Sequence, residues 1–471
     1  MNKKITAFTN DALGNLDATG VAEAIAKKEI SVEEATEAAI ARAEKVNPNL
    51  DAIKVKAYGD ARKYDGLNAG GAFYGVPTFV KDTDNIKGHP TQMGTGAFKS
   101  KIAKSNSKFV NQFQSCGVNL LGKTTLPEFG LLCSTENPKW NTTRNPWNTD
   151  YTSGGSSSGS AALVASGAVP IASGNDGAGS IRIPAAICGL VGLKPTRNRV
   201  HTIDGAELFP IQIVHQGVLT RSVRDTALFF SEAEKFKYNK RLPKLGHVTS
   251  ANKKRLKIAF IENRAEGKMG RQGDETYKLQ LETAKLLESL GHKVEQIPLP
   301  IDADAMIDDF LNFYGFTAYL SSHWGRLIYQ DKVDKSQLEP FTLGLAKRFK
   351  GNALKLPKNI RALRKMGNVS SATFEKYDIV MTPVLAHKTP KIGHFSPELT
   401  YDDVCKNAVE FATYTGLYNV TGEPAISLPM GLDSNGMPLG VQFAAPYGED
   451  KRLIELAYEL EEAKGWPSIL S

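Results

Sequence analysis

The sequence predicts a single α/β domain in which a mixed, mainly parallel central sheet is flanked by helices on both faces. Residues 108–135 alternate between helical and strand patterns. A strand at 257–262, the helical stretch ETYKLQLETAKLLESLG and the strand HKVEQIPL form a βαβ unit, in which the two strands pair in parallel. The C-terminal part returns to a helix–strand pattern in FEKYDIVMTPVL and ends in strand patterns around the turn Asn435-Gly436.

Composition allows a large buried core and gives only weak information about partners. The chain has 471 residues, of which 41% are hydrophobic. Its 58 basic residues are offset by 50 acidic ones, so a net charge of +8 is weak evidence for an anionic partner. The basic stretch 346–366 carries no recognition motif, and we interpret it as a solvated helical face. No nucleic-acid partner is expected.

Cysteine usage and hydropathy indicate the compartment. The four cysteines are widely spaced and form no CxxC motif, which is typical of free thiols in a reducing compartment. The N-terminus has a basic start without the apolar run of a signal peptide. No stretch approaches the roughly 20 apolar residues of a transmembrane helix. We expect a cytoplasmic protein that does not bind membranes.

Residues 10–47 have the pattern of two helices. Asp17 is the expected N-cap of the first helix, and Ser31 is the expected N-cap of the second, SVEEATEAAIARAEKV. The second helix has a stripe of small apolar residues, so it should pack closely on another element. A short strand is expected at 52–57.

The stretch 151–196 is unusually rich in Gly and Ser and poor in charge. Two Gly/Ser runs, 154–160 and 174–180, flank the apolar segment 161–171, which argues against a flexible linker. Gly154 and Gly159 have the spacing of a phosphate-binding loop, but Ser160 stands where that loop needs its lysine. The remaining interpretation is a hydrolase with a serine nucleophile and a loop that binds an oxyanion.

Four sequence blocks carry a family resemblance: GVPTFVKD, GGSSSGSAA, GNDGAGSIRIPAA and GLKPT. Together they resemble the amidase signature family of serine hydrolases, which uses a Ser–cis-Ser–Lys triad. The resemblance implies that Ser180 is the nucleophile and that Ser156, 24 residues earlier, is the bridging serine with the cis peptide bond. It also implies that Lys81, at the end of a predicted strand, is the base. The backbone N–H groups of Gly177, Ala178, Gly179 and Ser180 would bind the oxyanion.

The resemblance also implies a division of the chain. Residues 1–70 would be a helical N-terminal arm, 75–230 the catalytic core, and 231–471 a variable pocket segment followed by closure of the sheet. The sequence departs from the family pattern at Ser158, which replaces a Gly, at Asn175, which replaces a usual Ser or Thr, and at Ala178, which replaces a Gly. None of these changes removes a member of the triad.

The function expected from the resemblance is hydrolysis of a small-molecule carboxamide without a cofactor or metal. The opening DALGNLDATGVAEAIAKKEIS and the block NDGAGSIRIPA look closest to the branch that contains 6-aminohexanoate cyclic-dimer hydrolase. Two alternatives stay open: the catalytic A subunit of a tRNA-dependent glutamine amidotransferase, and a non-catalytic binding protein that retains the fold. A homodimer also stays open.

Other residues could suggest rival sites. His201 and His215 are the histidines nearest the signature, but Ser180 lacks the G-x-S-x-G context of a nucleophile elbow. The eight histidines form no ligand cluster typical of a metal site. Lys123 follows no glycine loop, so we expect a hydrogen-bonding or packing role. The aromatic stretch 310–324 could be core or could line the acyl pocket.

Lys81 must be neutral to act as a base, although a free lysine has a pKa of about 10.4. Burial disfavours the charged form and would lower the pKa. The nearest acid in the sequence is Asp82, whose side chain should point to the opposite face because neighbouring strand residues alternate. We therefore expect desolvation to control the protonation of Lys81.

Overall fold

The computed structural model describes residues 4–262 and 267–470; the first three residues of the predicted arm, 263–266 and 471 lie outside the described residues. The strands of the described chain are β1 (Ile53–Lys56), β2 (Pro77–Lys81), β3 (Asn119–Thr124), β4 (Glu136–Asn137), β5 (Asn141–Thr142), β6 (Arg144–Asn145), β7 (Asn148–Thr152), β8 (Ile171–Asp176), β9 (Val191–Lys194), β10 (His215–Thr220), β11 (Lys257–Glu262), β12 (Lys293–Pro298), β13 (Ile379–Pro383), β14 (Ala425–Leu432) and β15 (Pro438–Ala444).

Eleven of these strands form one mixed sheet in the order β1-β3-β2-β8-β10-β9-β14-β15-β13-β11-β12. Parallel pairing joins β3, β2 and β8 toward one end and β13, β11 and β12 at the other. The strands between β8 and β13 pair antiparallel, as does the edge strand β1. The predicted mixed sheet is confirmed, with more antiparallel pairing in its middle than the α/β pattern indicates. Short connections such as the turn between β14 and β15 join antiparallel strands only, because a parallel crossover needs a dozen residues or more.

Along the chain, most helices of the described residues fall between two of these strands. They are α1 (Ala18–Ala26), α2 (Val32–Leu50), α3 (Tyr58–Ala61), α4 (Lys108–Ser115), α5 (Ser158–Ala165), α6 (Arg182–Cys188), α7 (Val223–Phe236), α8 (Asp274–Ser289), α9 (Ala303–His323), α10 (Gly325–Ile328), α11 (Pro340–Asn352), α12 (Leu356–Phe374), α13 (Tyr401–Phe411), α14 (Gly416–Thr421) and α15 (Asp450–Lys464). Short 3₁₀ turns occur at Glu128–Gly130, Ala206–Leu208, Lys335–Gln337 and Ala353–Lys355.

Both faces of the sheet centre are covered. Strands β2, β8 and β10 are buried at every residue. Since successive residues of a strand point to opposite faces, burial of all of them requires packing on both sides. Helix α5 is also buried at every residue, as expected for a helix without a polar face, and it contacts β2, β3, β8 and β10. Helices α5 and α6 begin two residues after Ser156 and Ser180, so their packing holds both serines.

The N-terminal segment forms the two predicted helices. Asp17 caps α1, and Ser31 forms a capping box with Glu34 at the start of α2, as the sequence predicts. The buried Arg42 guanidinium of α2 donates to Asp11 and, at 2.9 Å, to the Gly167 carbonyl. This contact attaches the N-terminal helices to the loop between α5 and β8.

Two regions of less certain pattern are resolved by the fold. The stretch 126–133 forms only the 3₁₀ turn Glu128–Gly130, because Phe129 and Gly130 have left-handed backbone conformations (φ 52° and 69°) that end a helix. The basic stretch 346–366 lies on α11 and α12, where seven of its eight lysine and arginine side chains are exposed and Arg348 is half-buried. It is therefore the solvated helical face that the sequence predicts.

Candidate active site

Lys81 ends strand β2 in the interior of the protein. Its side chain is fully buried, and its Nζ lies 2.7 Å from Ser156 Oγ, 3.1 Å from Ser157 Oγ and 2.8 Å from Asn175 Oδ1. These partners come from the loop before α5 and from strand β8. The structure thus brings Lys81 and Ser156 together, as the sequence predicts, and adds Asn175 as a third polar contact.

The environment of Lys81 favours the neutral amine. Burial lowers the pKa of Lys81 to about 7, and the negative charges of Asp176 and Asp84 oppose this shift only in part. Asp82 points away from Lys81 and pairs with the buried Lys123 at 2.5 Å. The expected orientation of Asp82 agrees with this contact, whereas Asp176 and Asp84 are acids that the sequence pattern did not associate with Lys81.

Ser156 lies beside Lys81, in the loop before α5. The peptide bond between Gly155 and Ser156 is cis, and only 2% of Ser156 is exposed. The next residue, Ser157, donates its backbone N–H to the Ser180 carbonyl at 3.3 Å. This backbone contact joins the two Gly/Ser runs of the signature, although they are separated along the chain by α5 and β8.

Ser180 lies in the loop that directly precedes α6. It is 7% exposed, and among the described residues its hydroxyl makes no hydrogen bond. A hydroxyl without an internal partner can interact with a bound substrate.

The loop before Ser180 is held by a buried ion pair between Asp176 and Arg182, with Nε and Oδ2 2.9 Å apart. Asn419 donates to the Asp176 carbonyl at 2.7 Å and to its carboxylate at 2.9 Å. Burial by itself would raise the pKa of Asp176, but the Arg182 charge and the Asn419 amide outweigh burial and hold that pKa well below its ordinary value. Asp176 is therefore ionised and rigidly placed.

One of the four predicted oxyanion donors is already engaged. The Gly179 N–H donates to Asp176 Oδ1 at 2.6 Å, which corrects the expectation that it would be available to a ligand. The N–H groups of Gly177, Ala178 and Ser180 make no hydrogen bond among the described residues. The carboxylate takes the Gly179 donor because the loop turns back over Asp176 to form α6.

Comparisons with known proteins identify the family of the chain. The family model described as "Amidase" matches residues 34–454. The chain belongs to the amidase signature family. It is 43% identical over 467 residues to "Putative amidase AmiC" of Mycobacterium leprae, covering 99% of both chains. It is 32% identical to the 6-aminohexanoate-cyclic-dimer hydrolase of a Pseudomonas species, covering 96% of this chain and 95% of that protein.

A solved structure of 6-aminohexanoate cyclic dimer hydrolase, determined with its substrate, superimposes on this amidase with a TM-score of 0.86. The two sequences are 29% identical, and the match covers 97% of this chain and 98% of the other. The mixed α/β fold and the assignment as an amidohydrolase are thereby confirmed, and so is the resemblance to that branch of the family.

Two residues that could suggest a rival site in this amidase, His215 and Lys123, are engaged in hydrogen bonds. His215 begins β10, is buried, and has its Nδ1 2.8 Å from the Ile213 carbonyl. Burial lowers the pKa of His215 well below its ordinary value. Lys123 donates to the Pro90 carbonyl and to Thr91 Oγ1 in addition to its contact with Asp82. The hydrogen-bonding role expected for Lys123 is therefore confirmed.

The aromatic stretch 310–324 of the amidase contributes to the core and also contacts the segment that contains Gly130. Phe313 is fully buried in an apolar cluster with Ile213 and Val420. Tyr314 is half-buried and donates its hydroxyl to the Gly130 carbonyl at 3.3 Å. A Cβ placed on Gly130 would lie 3.3 Å from Ser156 Oγ, so Tyr314 contacts a residue that lies close to Ser156.

Within residues 4–262 and 267–470, no group of three or more His, Cys, Asp or Glu side chains is arranged to hold a metal ion. No helix in these ranges is both long and apolar enough to cross a membrane.

Several supporting residues of the site were missed by sequence reasoning. Arg182 donates to the Thr415 carbonyl, to Gln442 and to Asn419. Asp176 and Arg182 had a visible signal, because they are two of the few charges in the signature stretch. Asn419 and Gln442 had none, because they lie more than 230 residues further along the chain.

Proposed function

We propose that this amidase cleaves a small-molecule carboxamide through a covalent acyl-enzyme on Ser180. Ser156 carries the proton between Ser180 and Lys81, and Lys81 is the base. The observation that supports this best is the 2.7 Å contact between Lys81 Nζ and Ser156 Oγ, made by a buried lysine whose pKa is lowered to about 7. A base that is half neutral near pH 7 is well matched to proton transfer at that pH.

In the acylation step, Ser180 Oγ attacks the amide carbonyl while its proton passes to Ser156, and the Ser156 proton passes to Lys81 Nζ. The N–H groups of Gly177, Ala178 and Ser180 face the developing oxyanion, and Asp176 holds the loop through Gly179. Lys81 then returns its proton through Ser156 to the leaving amine. Water releases the acyl group by the same relay in reverse, which regenerates Ser180.

We also propose that the enzyme acts as a single chain in the cytoplasm, without glutamine, tRNA or a metal. The cysteines of the described residues are all free, which suits a reducing compartment. The similarity to 6-aminohexanoate-cyclic-dimer hydrolases makes cyclic amides a substrate class to include beside linear and aromatic amides.

Covalent labelling with a fluorophosphonate tests the proposal without knowledge of the natural substrate. The probe should modify wild type once, and mass spectrometry should place the adduct on Ser180. Ser180→Ala should lose both labelling and amidase activity. An adduct on Ser156 or Ser157, with an active Ser180→Ala enzyme, would overturn the assignment. Activity that required glutamine and partner chains would instead support an amidotransferase subunit.

A further inference from the structure

A line of hydrogen bonds extends from Lys81 away from the serines. Lys81 Nζ lies 2.8 Å from Asn175 Oδ1, and Asn175 Nδ2 donates to Thr83 Oγ1 at 2.6 Å. Thr83 Oγ1 donates to Asp84 Oδ2 at 3.0 Å. Asn175 is 5% exposed and Asp84 is 1% exposed, and Thr83 between them is half-buried.

The donor and acceptor roles in this line follow from Asp84. Its carboxyl group accepts from both Gln216 Nε2 (3.0 and 2.9 Å) and Ser107 Oγ (3.0 Å); burial raises the pKa of Asp84, and these donors oppose that shift by stabilising the ionised form. The Thr83 hydroxyl therefore donates its hydrogen to Asp84, and its oxygen accepts from Asn175. The Asn175 amide must then present its NH₂ group to Thr83 and its oxygen to Lys81.

We propose that Asp84, Thr83 and Asn175 are positioning residues that set the direction of proton transfer in the triad, by forcing Lys81 to direct its lone pair at Ser156. The proposal rests on the proposed function, because it assumes that Lys81 is the base. It concerns a role that the resemblance does not imply, since Asn175 stands where the family usually has Ser or Thr.

The hydrogens on the Lys81 amine set the direction of proton transfer. A neutral lysine amine has two N–H bonds and one lone pair. The Ser157 hydroxyl donates to the Asn175 carbonyl at 3.3 Å, so its oxygen accepts from Lys81. The amide oxygen of Asn175 can only accept, so it takes the second N–H. The lone pair is left to accept from the Ser156 hydroxyl, whose oxygen lies 2.7 Å from Lys81 Nζ. The hydrogen of this hydroxyl is the proton that must move in the proposed reaction.

The amide side chain at position 175 favours this direction of proton transfer more strictly than a hydroxyl would. A serine or threonine hydroxyl can rotate and can either donate to Lys81 or accept from it. An asparagine held by Thr83 presents only an acceptor. The charged groups that act on Lys81 are Asp176 at the end of β8 and Asp84 after β2. The neighbouring Lys123 is paired with Asp82 and does not enter the line.

Thr83 offers a matched pair of variants. Thr83→Val removes the hydroxyl, so the Asn175 amide can turn and donate to the Lys81 lone pair. We expect the plateau of kcat/KM to fall about 10- to 100-fold, the range typical of outer partners at metal sites. The rising limb of its pH profile should also move to lower pH, because a donor facing Lys81 disfavours the ammonium form. Thr83→Ser keeps the hydroxyl and should remain within about threefold of wild type.

Thr78→Val is the control for loss of a buried hydroxyl. Thr78 lies on the same strand as Lys81 and donates to the Ile171 carbonyl at 2.7 Å, without touching the line to Lys81. We expect this variant to lower Tm without moving the pH limb. The inference is overturned if Thr83→Val keeps the wild-type plateau and limb. It is also overturned if Thr83→Val and Thr83→Ser lose activity equally, or if Thr78→Val moves the limb as Thr83→Val does.

Asn175→Asp tests the same contact independently, because it should shift the pH profile in the opposite direction. A carboxylate beside Lys81 stabilises the ammonium form, so the rising limb should move to higher pH by about one unit or more. An unmoved limb would contradict a contact between residue 175 and the base. If Lys81→Ala and Ser180→Ala both retain activity, the proposed function fails. If both are inactive while Thr83→Val behaves as wild type, only the positioning inference fails.

Discussion

Asp176 binds both Arg182 and the backbone of Gly179, so one carboxylate forms the ion pair and also fixes the loop that precedes Ser180. The Gly179 N–H donates to Asp176 Oδ1 at 2.6 Å, while Arg182 Nε lies 2.9 Å from Oδ2. Both side chains are fully buried. The loop that carries Ser180 is therefore shaped by buried electrostatics as well as by packing.

Arg182→Ala should be strongly destabilising because it leaves the Asp176 carboxylate buried without its cation. We expect a loss of about 3–5 kcal/mol in the free energy of unfolding, measured by urea denaturation. The matched control is Arg62→Ala, which removes an exposed bidentate ion pair with Glu37. That change should cost far less stability than Arg182→Ala, because exposed ion pairs contribute little. Equal losses in the two variants would contradict the role assigned to the buried pair.

Gly179→Ala should disrupt the nucleophile loop. Gly179 has a φ of +129°, and a Cβ there would lie 2.3 Å from Thr415 Oγ1. The Thr415 hydroxyl binds the Ala178 carbonyl, so it cannot move without releasing the loop. We expect Ser180 labelling by a fluorophosphonate to be lost.

Gly177→Ala is the control for this change. Its added Cβ would meet only Val214, at an ordinary contact distance of 3.4 Å. This variant should fold and be labelled. Wild-type labelling of Gly179→Ala, or an unfolded Gly177→Ala, would show that the close approach to Thr415 does not control the loop.

The cost of burying Lys81 should be visible in stability. Its folded pKa is about 7, below the ordinary value of 10.5, so the unfolded chain binds the extra proton between these values. Stability relative to a Lys81→Met variant should therefore rise with pH from about 7 to about 10. Below pH 7, Lys81→Met should be the more stable protein by several kcal/mol. A difference in unfolding free energy that is constant over pH 6–10 would contradict a lowered folded pKa.

Residues near one another in the chain could be placed from sequence, and residues from distant elements could not. Alternation along β2 correctly predicts that Asp82 turns away from Lys81, and the structure shows its pairing with Lys123. The influence of Asp176 on Lys81 depends on β8 lying beside β2 in the sheet, which no local pattern encodes. Thr415 directly precedes α14 and is far from Ser180 along the chain, so its contact with the Ser180 loop also depends on the tertiary fold.

The pH dependence of Ser180 labelling tests most directly the claim that neutral Lys81 activates the nucleophile. In wild type, the second-order rate constant for fluorophosphonate labelling should rise through one ionisation near pH 7 and reach a plateau in the alkaline range, because only the neutral amine accepts the proton. Lys81→Ala and Lys81→Arg should be labelled slower by about two to four orders of magnitude, without that ionisation. A Lys81→Arg enzyme labelled at the wild-type rate at pH 7 would show that another group is the base.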